Sequence, residues 1–266
     1  MFYAIAKDKI DLHGYRFTHR LEDIQTLNER AQRGELHISA ISIHAYAYVS
    51  DKYALLPCGA SMGDGYGPVV VRKRSTSNQE VDARELLRNE TIAVPGKMTS
   101  AFLALQLFLG EFKFMVVPFD KIFDAVESGR ADAGLIIHEG QLTYARSGFQ
   151  KVLDLGEWWK RKTGLPLPLG GNVVRKDIPA TMRRDISEII RESIDYGLTH
   201  RDEAVAYSLA YARDMNTQLA SKFIGMYVNE FTRDYGETGR AAIRKFLTDA
   251  RDQGYIDVPI EVEFVG

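Results

Sequence analysis

Two passages of the chain repeat one grammar, and that repeat limits the fold more than any other feature. Leu21, Ile24, Leu27 and Ala31 recur at helical spacing, Gly34 stops the pattern, and an apolar run follows from Ile38 to Ile43. Near position 120 the same order returns: Ile122, Phe123 and Val126 mark a short helix, Gly129 ends it, and Ala133 to Ile137 form the next strand. "RGELHISAISIHAY" and "SGRADAGLIIHEGQ" therefore read as equivalent parts of two similar lobes. Strands apolar on both faces belong to sheets covered by helices, which makes the expected class α/β. The 266 residues give room for two such lobes.

Between the repeats, "TIAVPGKMTSAFLALQLFL" reads as a strand from Thr91 to Val94, a Pro95-Gly96 turn, and a helix that begins near Thr99 and Ser100. In an α/β sheet that turn lies at the carboxyl end of a strand, where ligands bind. The first N–H groups of the helix lack helical acceptors and favour an anion. The two hydroxyls can serve as the N-cap or as ligand donors. "GYGPVVVRKR" and "LPLPLGGNVVRKD" are a matched pair of glycine-rich approaches to Val-rich strands, read as the chain crossing between lobes and returning. One lobe is then discontinuous, with residues 1–87 and 173–266 forming the larger and 88–172 the smaller. Helical patterns fill the last third at Pro179–Tyr196, Asp202–Ala212, Thr217–Val228 and Gly239–Gln253.

Composition narrows the partners. Lys plus Arg number 34 against 36 Asp plus Glu, and a net charge of −2 offers no broad field for nucleic acid or anionic lipid. A small molecule is the expected ligand, with a second copy of the chain, as a homodimer, the one macromolecular partner left open. Cys58 is the only cysteine, so no internal disulfide forms, and no Cys/His cluster has the spacing of a metal site. No secretory signal or membrane span is readable, so a cytoplasmic location is expected.

His138 closes the second repeat's strand, beside Glu139 and Gly140. A histidine there is either a packed residue with backbone partners or a proton acceptor at a cleft, where imidazole suits neutral pH. Ser42 and His44 end the matching strand; Ser42 can donate to a ligand, whereas His44 in "ISIHAYAYV" reads as structural. The glycines of "GASMGDGYGPVVV" lack the Lys-Ser/Thr ending of a phosphate loop and read as a tight turn.

Together "ISIHAYAYVSDKYALLPCGASMGDGYGPVVVRK", "AVPGKMTSAFLALQLF", "ADAGLIIHEGQLTYARSGF" and "DLGEWWKRKTGLPLPLGGNVVRKD" resemble the 1,4-dihydroxy-6-naphthoate synthases of the futalosine route to menaquinone, in order from about Leu21 to the C-terminus. The resemblance implies a two-lobed fold like the type II periplasmic binding proteins, with the ligand in a central cleft. It implies a carbon–carbon lyase that converts cyclic dehypoxanthine futalosine without metal or organic cofactor. The family's catalytic histidine falls on His138, and its substrate-binding positions fall on Ala40, Ile41, Ser42, Thr99 and Ser100. Members usually begin with a strand and a Ser-Pro-x-x-Asn-Asp-Thr loop ahead of the segment matching "FYAIAKDKID". This chain starts past them, and a late-called start is the expectation, because removing an inner strand leaves its neighbours' backbone groups unpaired. The rival readings are a solute receptor of the same fold and a chorismate dehydratase of the same pathway.

Overall fold

The apolar strand runs sort into two sheets in the computed structural model, which describes residues 1–75, 82–209 and 217–266. The strands are β1 (Ile38–Ser42), β2 (Tyr53–Leu55), β3 (Ser61–Gly63), β4 (Val69–Lys73), β5 (Thr91–Val94), β6 (Lys113–Val116), β7 (Ala133–Ile136), β8 (Phe149–Asp154) and β9 (Leu167–Arg175). The nine residues of β9 carry the first sheet, pairing antiparallel with β1, β2 and β3. The second sheet has the order β6-β5-β7-β4-β8, with β5 parallel to β6 and β7 and β4 antiparallel to β7 and β8.

Strand pairing moves the lobe boundaries from those read in the sequence. The Val69–Val71 run is buried between β7 and β8, so the chain has entered the second sheet before residue 88; β9 from Leu167 onward already lies in the first, so the return precedes residue 173. The two Val-rich strands do end up in different sheets, but a run apolar on both faces does not say which neighbours it joins.

The helices are α1 (Tyr3–Ala6), α2 (Ile24–Gln32), α3 (Ile43–Tyr46), α4 (Ala83–Leu87), α5 (Ser100–Leu109), α6 (Ile122–Glu127), α7 (Gly140–Thr143), α8 (Leu155–Thr163), α9 (Ala180–Thr199), α10 (Arg201–Leu209), α11 (Thr217–Tyr227), α12 (Glu230–Arg233) and α13 (Gly236–Asp252). Residues 210–212 of the expected Asp202–Ala212 helix lie outside the described residues. Pro179 stands one place earlier than expected: with ψ 140° it is extended and precedes α9.

Helix α5 is apolar on almost every side, and a helix of that kind has to be enclosed. It packs on α3 and β9 of the first lobe and on α8, which follows β8. Phe102, Leu103, Leu105, Leu107 and Phe108 are buried there, each stabilising the fold by about 2 kcal/mol. This enclosure fixes the start of α5 against the first lobe. Trp158 and Trp159 of α8 pack edge-on to Phe108 and Phe246, as the sequence pattern of a packing helix implies. Cys58 is fully buried, and burial pushes its thiol up to about 12, so it is a packed apolar residue.

Candidate active site

The carboxyl end of β1 is held by helix α2. Asp23 caps that helix by accepting from the N–H groups of Gln25 and Thr26. One turn on, buried Asn28 donates from Nδ2 to Ser42 Oγ at 3.0 Å and accepts the Ser42 N–H at Oδ1 at 2.9 Å. The same Nδ2 reaches the Met98 carbonyl at 3.5 Å, in the turn ahead of α5. Upstream, Ala40 and Ile41 pair with Asn172 and Gly171 of β9; Ile41 is fully buried, so only its backbone could meet a ligand.

The start of α5 faces this strand end. Thr99 is the N-cap: Oγ1 accepts the Phe102 N–H at 3.2 Å and donates to the Gly96 carbonyl at 2.9 Å. Of the two roles its hydroxyl could take, capping is the one occupied. Ser100 Oγ donates to the Leu169 carbonyl at 2.6 Å and accepts the His44 N–H at 3.2 Å, which ties α5 to both β1's end and the approach of β9. Ser42, Thr99 and Ser100 are thus brought into one neighbourhood, all three buried and hydrogen-bonded. His44, beside them, is buried with neither ring nitrogen hydrogen-bonded, and desolvation lowers its pKa to about 4.

His138 stands at the carboxyl edge of the second sheet. The β5–β7 register pairs Ala93 with Gly134, and its continuation sets Ile137 level with Gly96, so His138 emerges one strand over from the turn that leads into α5. The Gly140 N–H donates to His138 Nδ1 at 3.1 Å, and Glu139 Oε2 lies 3.9 Å from the same nitrogen. Phe119 and Phe123 flank the ring edge-on, with centroids 5.9 and 5.8 Å away. A Cβ on Gly140 would lie 2.6 Å from the Phe123 ring and 2.7 Å from His138 Cε1, so only glycine fits beneath the imidazole. Nε2 is buried without a hydrogen-bond partner. Desolvation lowers the pKa of His138, opposed by the charges of Glu139 and Asp120, and the ring is neutral near pH 7. With Nδ1 accepting, the neutral ring carries its proton on Nε2. Among the described contacts no hydrogen bond joins His138 to Ser42, Thr99 or Ser100.

The described residues contain no group of three or more His, Cys, Asp or Glu placed to hold a metal, and no helix among them is long and apolar enough to cross a membrane. What the site offers is a neutral imidazole, a set of buried hydroxyls and a helix start, at adjoining strand ends of two lobes.

Residues 1–252 match the model of a family described as "Menaquinone biosynthesis". The chain belongs to that family. A curated relative from Thermus thermophilus, described as a 1,4-dihydroxy-6-naphthoate synthase, is 37% identical over 254 residues, covering 96% of this chain and 90% of its own. An Archaeoglobus fulgidus protein solved by X-ray crystallography superposes with a TM-score of 0.89 at 43% identity, over 96% of this chain and 93% of its own. At the level of fold alone, a Candida albicans protein with the generic periplasmic binding protein fold matches with a TM-score of 0.62 at 15% identity, over 89% of this chain and 79% of its own. The two-lobed α/β class expected from the repeat is the observed one.

In this member of the menaquinone-biosynthesis family, sequence reading missed Asn28, which holds Ser42 and reaches the α5 turn. A signal was present: Asn28 falls between Leu27 and Ala31 on the apolar stripe of its helix, where a polar side chain needs a partner. It also missed Gln141, buried one residue after Gly140.

Proposed function

We propose that the chain is a cytoplasmic carbon–carbon lyase converting cyclic dehypoxanthine futalosine to 1,4-dihydroxy-6-naphthoate, with His138 as the general base. The observation that carries this reading is the near full-length relationship to the Thermus thermophilus synthase, with a neutral histidine at the strand end that faces the other lobe. Neutrality matters because only an unprotonated imidazole accepts a proton. The available lone pair is on Nδ1, and in the closed arrangement Gly140 occupies it. Proton uptake exchanges the Gly140 N–H for the substrate's proton, and the imidazolium then faces the Glu139 carboxylate 3.9 Å away. Loss of the proton starts the elimination that expels the sugar-derived fragment, and aromatisation of the second ring supplies the driving force. Ser42, the Ala40–Ile41 backbone, Thr99 and Ser100 contribute the substrate-binding wall once the lobes part. The partner is a small molecule; the reading calls on no cofactor, nucleic acid or membrane, and at most on a second copy of the chain.

Mass spectrometry of purified protein incubated with cyclic dehypoxanthine futalosine tests this directly. Dihydroxynaphthoate should appear with the wild-type chain and fall to background with His138→Ala. Absence of product from the wild-type protein sinks the synthase reading, and dehydration of chorismate in its place would identify the sister activity.

A further inference from the structure

We infer that Gln141 and Tyr227 form a latch that positions His138, coupling the packing of the C-terminal helices to the strand end that carries the imidazole; the inference rests on the functional reading above for its catalytic meaning. Gln141 is buried, and its two amide atoms face opposite ways. Nε2 donates to the carbonyl of Ile136, the last residue of β7, at 3.2 Å, and Oε1 accepts from Tyr227 Oη at 2.6 Å. One side chain therefore spans from the strand that ends in His138 to the last residue of α11. The backbone repeats the connection: the Gln141 N–H donates to the His138 carbonyl at 3.0 Å, beside the Gly140 N–H bond to the ring. A shift of Gln141 must move both bonds that set the imidazole.

The far end of the latch is anchored. Helix α11 packs on β3 of the first sheet. Tyr66, on the segment crossing from β3 to β4, donates from its hydroxyl to the Met226 carbonyl, accepts from Asn229 Nδ2 at 3.4 Å, and packs edge-on to the Tyr227 ring. Tyr227 thus reports the position of the inter-lobe crossing, and Gln141 passes it to His138. Desolvation holds the Tyr227 phenol far above its ordinary range, so it stays a neutral donor. Away from this bond, α7 and the turn after it are separated from α11 by an open groove lined by Leu142, Arg146, Gln218 and Lys222. A polar link at one end of an open groove can break without unpacking a core.

Tyr227→Phe removes the donor and keeps the ring against Tyr66 and Phe223. A neutral hydrogen bond contributes a factor of about two to ten to such an equilibrium. Amide exchange over residues 138–143 should quicken by about that factor, the His138 imidazole signals in 15N spectra should move, and kcat/KM on cyclic dehypoxanthine futalosine should fall by a similar amount. Gln141→Ala should reproduce these changes, and Tyr227→Phe should add nothing to it. Should Gln141→Ala fail to fold, Tyr227→Phe alone decides. Wild-type exchange and wild-type His138 signals in Tyr227→Phe overturn the latch whatever the turnover. A wild-type chain that makes no dihydroxynaphthoate overturns the functional reading instead, and the exchange and ring signals still judge the latch.

Discussion

His44 and His138 each follow, by two residues, the last residue of an apolar strand, yet the two rings have opposite circumstances. After β1 the chain enters α3 at once, and the helical turn folds His44 inward, where it is 4% exposed with no partner on either nitrogen. After β7 two residues intervene before Gly140, whose missing Cβ makes room for the imidazole and whose N–H holds it. The same grammar of helix, glycine stop and strand therefore yields a packed histidine in one lobe and an oriented one in the other. What differs is the residue that follows the strand end, and only the second arrangement gives the ring a defined tautomer.

If this contrast is right, removing the two rings has unlike effects. His138→Ala should lose about a hundred- to ten-thousand-fold in turnover while circular dichroism and melting stay close to wild type. Near-normal turnover would place both histidines in the structural class. His44 should act on stability through pH. Its folded pKa of about 4 lies below the 6.5 of the free side chain, so the unfolded chain binds the proton that the folded chain refuses. Stability should be full above pH 6.5 and fall by about 3 kcal/mol as the pH drops to 4. Urea titrations across that range should show the slope flattened in His44→Leu. A slope unchanged by that substitution would mean that the ring finds a partner when protonated.

The parts of this contrast that were legible in sequence are the local ones. Gly34 and Gly129 stopped two helices, Ile38–Ile43 and Ala133–Ile137 announced buried strands, and Thr99 stood where a cap was needed. Each follows from periodicity or from the chemistry of a helix end, which neighbours in sequence settle among themselves. The insertion of β4 between β7 and β8 did not follow, because a Val-rich run satisfies any covered sheet equally well. Nor did the Asn28–Ser42 pair, 14 residues apart, or the Gln141–Tyr227 bond, 86 apart. Those contacts depend on how the lobes are set against one another, and no short window encodes that.

Asn28 tests whether β1's end is held as firmly as β7's. Asn28→Ala leaves the buried Ser42 N–H without its acceptor and should cost about 1–3 kcal/mol in urea unfolding. Asn28→Asp keeps an acceptor for that N–H and should recover part of the loss. A null result for both would mean that β9 alone positions this strand end.

The smallest effect is expected at Thr99, where the two lobes' strand ends share one helix start. Its hydroxyl is already committed, accepting from Phe102 and donating to Gly96. Removing a cap of this kind costs about 1 kcal/mol, so Thr99→Ala should lower stability by that amount and Thr99→Ser should restore it. The kinetic comparison then separates the two uses of the hydroxyl. A group spent on capping leaves KM in Thr99→Ala close to wild type once the fold is stable at the assay temperature. A hydroxyl that turns to the substrate when the lobes part raises KM in Thr99→Ala, with Thr99→Ser intermediate, because serine keeps the donor and loses the methyl that fixes its rotamer.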